Sequence, residues 1–85
     1  MVILKLIVYG TLNCPDTVAA LAEYEKRGLQ VDYRDIDKSI ATLKEFLTLR
    51  DTETVFAPVR ERHSVGVPCL IKEDGTITLD WEEVL

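Results

Sequence analysis

The junction at residues 8–17 constrains this chain more than any other stretch. Val2-Ile3-Leu4-Lys5-Leu6-Ile7-Val8 is an apolar, β-branched run interrupted only by Lys5, the pattern of a buried strand. The run stops at Gly10, and a helical pattern begins just after Cys14. Pro15 fits the first helical position, where its missing N–H is no loss. Cys14 is therefore predicted where a strand hands over to a helix N-terminus. Unpaired backbone N–H groups and the positive end of the helix dipole favour a thiolate there.

The rest of the chain supplies one small fold around that junction. Its 85 residues, 47% of them apolar, suffice for a single domain over residues 1–85 with one modest core. The net charge of −5 leaves no basic stripe to neutralise phosphates, so no nucleic-acid partner is expected. The short apolar start, broken by Lys5 and lacking a small-residue cleavage site, reads as neither a signal peptide nor a membrane span. Two cysteines without a secretory signal point to a reducing, cytoplasmic setting, where thiols do chemistry or fill cores more often than they staple. No repeat or low-complexity tract divides the chain.

Pro15 to about Arg27 carries Val18, Leu21 and Ala22 at helical spacing, and Gly28 stands where a helix-ending glycine belongs. Leu29 to Ile36 alternates Val31, Tyr33 and Ile36 with charges, as a half-buried strand does. Asp37 or Ser39 can cap a second helix with Ile40, Leu43, Phe46 and Leu47 on one stripe, ending near Arg50-Asp51. Val55, Phe56 and Val59 are core contacts of a short third helix, with Pro58 in its first turn. Gly66 to Ile71 reads as a strand, Asp74-Gly75 as a two-residue hairpin, and Thr76 to Leu79 as the return strand. Asp80 can cap a last short helix over Trp81 to Leu85. The order β-α-β-α-α-β-β-α predicts an α/β fold. Its first two strands are parallel by right-handed crossover, its last two antiparallel, with helices on both faces of a mixed sheet.

A strand, then Cys14-Pro15-Asp16-Thr17 opening a helix, then Val67-Pro68 ahead of a hairpin, resembles the glutaredoxin branch of the thioredoxin superfamily. The likeness is to its small bacterial members with a Cys-Pro-Asp-Cys site. Leu43 to Asp51 and Val65-Gly66-Val67-Pro68-Cys69 are similar to that subgroup too. The resemblance implies the thioredoxin/glutaredoxin fold with a four-stranded sheet of order 2-1-3-4. It also implies a cis peptide between Val67 and Pro68, beside Cys14; X-Pro bonds adopt cis at low cost.

The same resemblance makes Cys14 the nucleophile, whose thiolate attacks a disulfide to form a mixed disulfide. Thr17 stands where the family's second cysteine would be. One-thiol chemistry follows, with glutathione or another small thiol as co-substrate and resolver. One turn along the helix, the Thr17 hydroxyl can donate to the Cys14 sulfur, whereas the Asp16 carboxylate disfavours a second negative charge. Glutaredoxins usually carry a lysine before the active cysteine, where this chain has Thr11, Leu12 and Asn13, and a Gly-Gly-x-Asp turn, where it has Thr78-Leu79-Asp80. Asp80 can still accept from an ammonium group, and the Val67 backbone can pair with a substrate peptide as an added strand. Tyr9 and Asn13 are close enough in sequence to line the cleft.

Other residues have plainer readings. Cys69 is either a small buried hydrophobe or, beside Cys14, an unconventional second thiol. His63 reads as a solvated loop residue and Asp32, Asp35 and Asp37 as surface charge and helix capping, while Arg60 and Arg62 form a solvated face that could hold a substrate carboxylate. No metal and no tightly bound cofactor is expected. The sequence thus points to a monomeric, glutaredoxin-like thiol–disulfide oxidoreductase acting on a disulfide-containing protein or a glutathione mixed disulfide. Its rivals are a redox-inactive binding module of the same fold and a glutathione-dependent carrier of a [2Fe–2S] cluster shared between two chains.

Overall fold

The computed structural model describes residues 5–85. The expected start of the first strand, Val2 to Leu4, lies outside the described residues. The elements are β1 (Lys5–Gly10), α1 (Pro15–Lys26), β2 (Gln30–Asp35), α2 (Ile40–Thr52), a 3-10 turn (Thr54–Phe56), α3 (Ala57–Glu61), β3 (Cys69–Ile71), β4 (Ile77–Thr78) and a terminal 3-10 turn (Trp81–Val84). They form an α/β fold around a four-stranded mixed sheet of order β2-β1-β3-β4. No helix among the described residues is long and apolar enough to cross a membrane.

The register decides where the loops go. β1 and β2 are parallel, from Lys5 opposite Gln30 to Gly10 opposite Asp35. β3 is antiparallel to β1, with Tyr9 opposite Cys69, and β4 is antiparallel to β3, with Leu70 opposite Thr78. Parallel strands finish at the same edge and an antiparallel neighbour begins there. The loops after β1, after β2 and before β3 therefore converge at one end of the sheet.

Alternation along β1 splits the core in two. Leu6 and Val8 pack with Ala20, Tyr24 and Leu70 beneath α1. Tyr9 joins Ile36, Phe46, Phe56, Val59 and Cys69 on the face covered by α2 and α3, with Ile7 against them. Tyr24, Phe46 and Phe56 are fully buried, each contributing roughly 1.5–3 kcal/mol of apolar burial.

Several elements depart from the periodicity of the sequence. The buried stripe of α1 is Thr17, Ala20 and Tyr24, not Val18, Leu21 and Ala22; Val18 is 46% exposed and Leu21 only partly buried. A large aromatic at Tyr24, whose hydroxyl donates to the Trp81 carbonyl at 2.6 Å, sets the rotation of the helix. In α2 the stripe is Leu43, Phe46 and Leu49, with Ile40 and Leu47 turned to solvent. Val55 is exposed, while Phe56 and Val59 are buried as expected. The hairpin turn spans Lys72–Gly75: Gly75 N–H donates to the Lys72 carbonyl, and Lys72 N–H to that of Thr76. Asp74-Gly75 thus ends the turn rather than centring it, with Gly75 at φ 89° in a conformation other residues resist. The last element is a single 3-10 turn capped by the Asp80 carboxylate.

Candidate functional site

Cys14 is the N-cap of α1, in extended conformation and half-buried, with Pro15 immediately inside the helix. Its side chain does not cap the helix. Instead the thiol donates to the carbonyl of Val67 at 3.7 Å, within the longer range of sulfur hydrogen bonds. Val67 precedes Pro68 through a cis peptide bond, and Pro68 is buried. Chain segments 53 residues apart thus meet at the sulfur, because the loop after β1 and the loop before β3 share one end of the sheet.

The loop carrying Cys14 is fixed from the side of β2. The Asp37 carboxylate accepts from the Thr11 hydroxyl and, at 3.0 Å, from the Asn13 side-chain amide. Asn13 N–H donates to the Thr11 hydroxyl oxygen at 3.1 Å, and Cys14 N–H to the Thr11 carbonyl at 3.1 Å. Asp37 is itself tethered, its N–H donating to the Asp35 carboxylate at 2.8 Å. Asn13, a candidate substrate contact, is thus engaged with the protein.

The loop carrying Val67 is fixed from α2. Arg50 donates through Nε and Nη2 to the Ser64 carbonyl, at 3.2 and 2.6 Å, and through Nε to that of Val65 at 3.1 Å. Gly66 has φ 93°, and a Cβ there would stand 2.8 Å from the Phe56 ring, so only glycine lets the loop lie this close to the core.

The remaining candidates divide. Tyr9 does not line the cleft: it is 4% exposed, within the α2-side core, and its hydroxyl donates to Glu45 and accepts from Arg34, both at 2.9 Å. Burial, then the Glu45 carboxylate, raise its phenol above the usual range. Cys69 is wholly buried in that same core, and burial pushes its thiol up to about 12. That makes it a poor nucleophile and a packing residue. Thr17 is also wholly buried, lying against the Gly10 backbone, where an added Cβ would meet its Cγ2 at 2.7 Å. Its hydroxyl has no hydrogen-bond partner among the described residues, the Cys14 sulfur included. Asp80 lies two residues beyond the Leu70–Thr78 pair, level with Pro68 at the Cys14 end of the sheet, and remains exposed while capping the terminal turn. Arg60 caps the end of α2, donating to the carbonyls of Arg50 and Glu53 at 2.6 and 3.0 Å, so its guanidinium serves the fold. Arg62 and His63 are exposed.

Arg50 has no functional reading in the sequence, and Asp37 suggests there only a cation site or a helix cap, not an anchor of the Cys14 loop. Asp37 was legible in principle, since parallel β1 and β2 must release their following loops side by side. Arg50 was not, since a cation in the last turn of a helix already has a local reason to be there.

No family model and no solved structure matches the chain. An uncharacterized protein of Haemophilus influenzae (strain ATCC 51907 / DSM 11121 / KW20 / Rd) is 33% identical over 80 residues, which cover 94% of this chain and 93% of that protein. The two chains belong to one family. Identity across nearly the whole of both proteins means that the relationship extends over the sheet as a unit, not over an isolated motif.

Proposed function

We propose that this chain is a glutaredoxin-like thiol–disulfide oxidoreductase of thioredoxin fold, working through one thiol, Cys14. The observation that carries the reading is the Cys14 sulfur at a helix N-terminus, 3.7 Å from the carbonyl of the residue before cis-Pro68. The sheet order β2-β1-β3-β4 supports the fold assignment, and the burial of Cys69 supports one-thiol chemistry.

The reaction balances without a bound cofactor. Cys14 loses its proton to solvent, and the thiolate attacks one sulfur of a disulfide. A Cys14–substrate disulfide forms as the old S–S bond breaks, and the departing thiolate takes up a proton. An external thiol, glutathione or another, then attacks the substrate sulfur of the mixed disulfide. It leaves joined to the substrate as a new disulfide, and Cys14 is released reduced.

The test is capture by hydroxyethyl disulfide, read by intact mass. The wild type gains one mercaptoethanol adduct that peptide mapping assigns to Cys14, Cys69→Ala gains the same adduct, and Cys14→Ser gains none. A wild type that forms no adduct, or an adduct that persists in Cys14→Ser, would sink the reading. One observation favours a second reading, a binding module without redox turnover: the other cysteine, Cys69, is wholly buried and is not bonded to Cys14. An adduct that external thiols fail to release would favour that rival.

A further inference from the structure

We infer that Arg50 is a positioning residue for the Cys14 site, acting through the loop that presents Val67; the inference rests on the reading of Cys14 as the reacting thiol. Arg50 is in the last turn of α2, and while its Nη1 stays 4.0 Å from the neighbouring Asp51 carboxylate, its Nε and Nη2 turn away from the helix. It makes three hydrogen bonds to the carbonyls of Ser64 and Val65, 14 and 15 residues further on. A planar fork is the side chain that can hold two successive carbonyls in a fixed relation, and an ammonium is not.

These carbonyls stand two and three residues before Val67, and the intervening Gly66 is held against Phe56 and Val59. The orientation of the Val67 carbonyl toward the sulfur is thus set from two sides, by the guanidinium and by the core. The helix end that carries the fork is itself held, since Arg60 donates to the Arg50 main-chain carbonyl at 2.6 Å. Ser64 and Val65 are exposed, so water can satisfy their carbonyls when the fork is lost. Removal of the side chain therefore loosens the loop without leaving buried polar groups.

Loosening has opposite consequences for two reactions at the same sulfur. Exchange with a peptide disulfide needs the peptide aligned along the Val67 segment, and misplacement there slows it. Alkylation by a small uncharged reagent needs only the thiol. A thiol no longer held on the Val67 carbonyl at 3.7 Å is, if anything, more accessible to that reagent.

The experiment compares wild type, Arg50→Met and Arg50→Lys in single-turnover exchange with a cysteine-peptide disulfide and in iodoacetamide alkylation of Cys14. Arg50→Met lowers the exchange rate about tenfold at subsaturating peptide, chiefly through half-saturation rather than the limiting rate. Arg50→Lys fails to restore it fully, Cys14 alkylation does not fall in either variant, and Cys69 stays protected, which shows the fold intact. Hydrogen exchange at the amides of residues 64–67 accelerates in Arg50→Met. Unchanged peptide exchange with unchanged amide protection overturns the inference alone. A wild type whose Cys14 exchanges with neither peptide nor hydroxyethyl disulfide overturns the oxidoreductase reading and this inference with it.

Discussion

The Cys14 thiol and the Val67 carbonyl, 53 residues apart in sequence, meet at 3.7 Å. Each partner comes from a loop held from a different flank of α2: Asp37, in the β2–α2 connection two residues before the Ser39 N-cap, grips the Cys14 loop, and Arg50, in the last turn of α2, grips the Val67 loop. The helix lies on the face of the sheet opposite α1 and still governs the spacing at the sulfur. The two cysteines receive contrasting environments, one half-buried at a helix start and the other sealed in the core.

That contrast predicts selective labelling. At pH 8 iodoacetamide should add one carbamidomethyl group to the native protein, at Cys14, and a second only in denaturant, because Cys69 is buried and its thiol is pushed up to about 12. Intact mass followed by peptide mapping reads the result. Labelling of Cys69 at a comparable native rate would mean that the α2-side core opens readily.

Thr17 carries a buried hydroxyl without a partner among the described residues, against a glycine without room. Thr17→Val keeps the shape and removes the unpaired group, so it should stabilise the protein by about 1 kcal/mol in urea denaturation. Gly10→Ala should cost about 1–3 kcal/mol through the clash with Thr17, and adding Thr17→Ala should recover much of that loss, a non-additivity expected of touching residues. Alkylation of Cys14 that slows in Thr17→Val would reveal a hydroxyl that does reach the sulfur.

The strand-to-helix handover at Cys14 and the mixed sheet were legible because each rests on local chemistry: an apolar run, a proline at the first helical position, a glycine past the helix end. What escaped the sequence was set by contacts across the fold. Spacing alone offered Val18 and Ala22 for the α1 face, but Tyr24, anchored on Trp81, rotated the helix toward Thr17 and Ala20. Tyr9 was near Cys14 in the chain, yet strand alternation turned it to the opposite face of the sheet. Asp37 read as a helix cap and Arg50 only as the place where the second helix ends, until the convergence of three loops gave each a distant partner.

The Tyr24 hydroxyl ties α1 to the terminal turn, donating to the Trp81 carbonyl at 2.6 Å from a ring with no exposed surface. Burial, with the Asp80 charge second, pushes this phenol well above its usual range, so it stays a donor throughout the working pH range. Tyr24→Phe removes the donor alone and should cost about 1–2 kcal/mol. The chain has one tryptophan, and its ring meets that of Tyr24 edge-on at 6.4 Å. The loss should therefore appear as a red shift of tryptophan emission at temperatures below the main unfolding transition. Coincident loss of emission and helicity, at an unchanged midpoint, would remove the bond from the stability account.

Alkaline pH should weaken the fold, chiefly through Cys69. Burial raises this thiol to about 12, and burial with the Asp35 charge raises the Tyr33 phenol to about 12. Below their ordinary values both groups hold their protons in the folded and the unfolded chain alike, and their contribution to stability is fully present. Between those values and about 12 the unfolded chain releases protons that the folded chain retains, so stability falls as pH rises. With an ordinary thiol near 8.5, Cys69 alone accounts for roughly 2 kcal/mol of loss by pH 10; partly exposed Tyr33 adds a smaller share. Urea denaturation at pH 8 and pH 10 reads the difference, and Cys69→Ala should lower stability at pH 8 but flatten the decline to pH 10. Parallel declines in the two proteins would show that the Cys69 thiol ionises as easily in the fold as outside it.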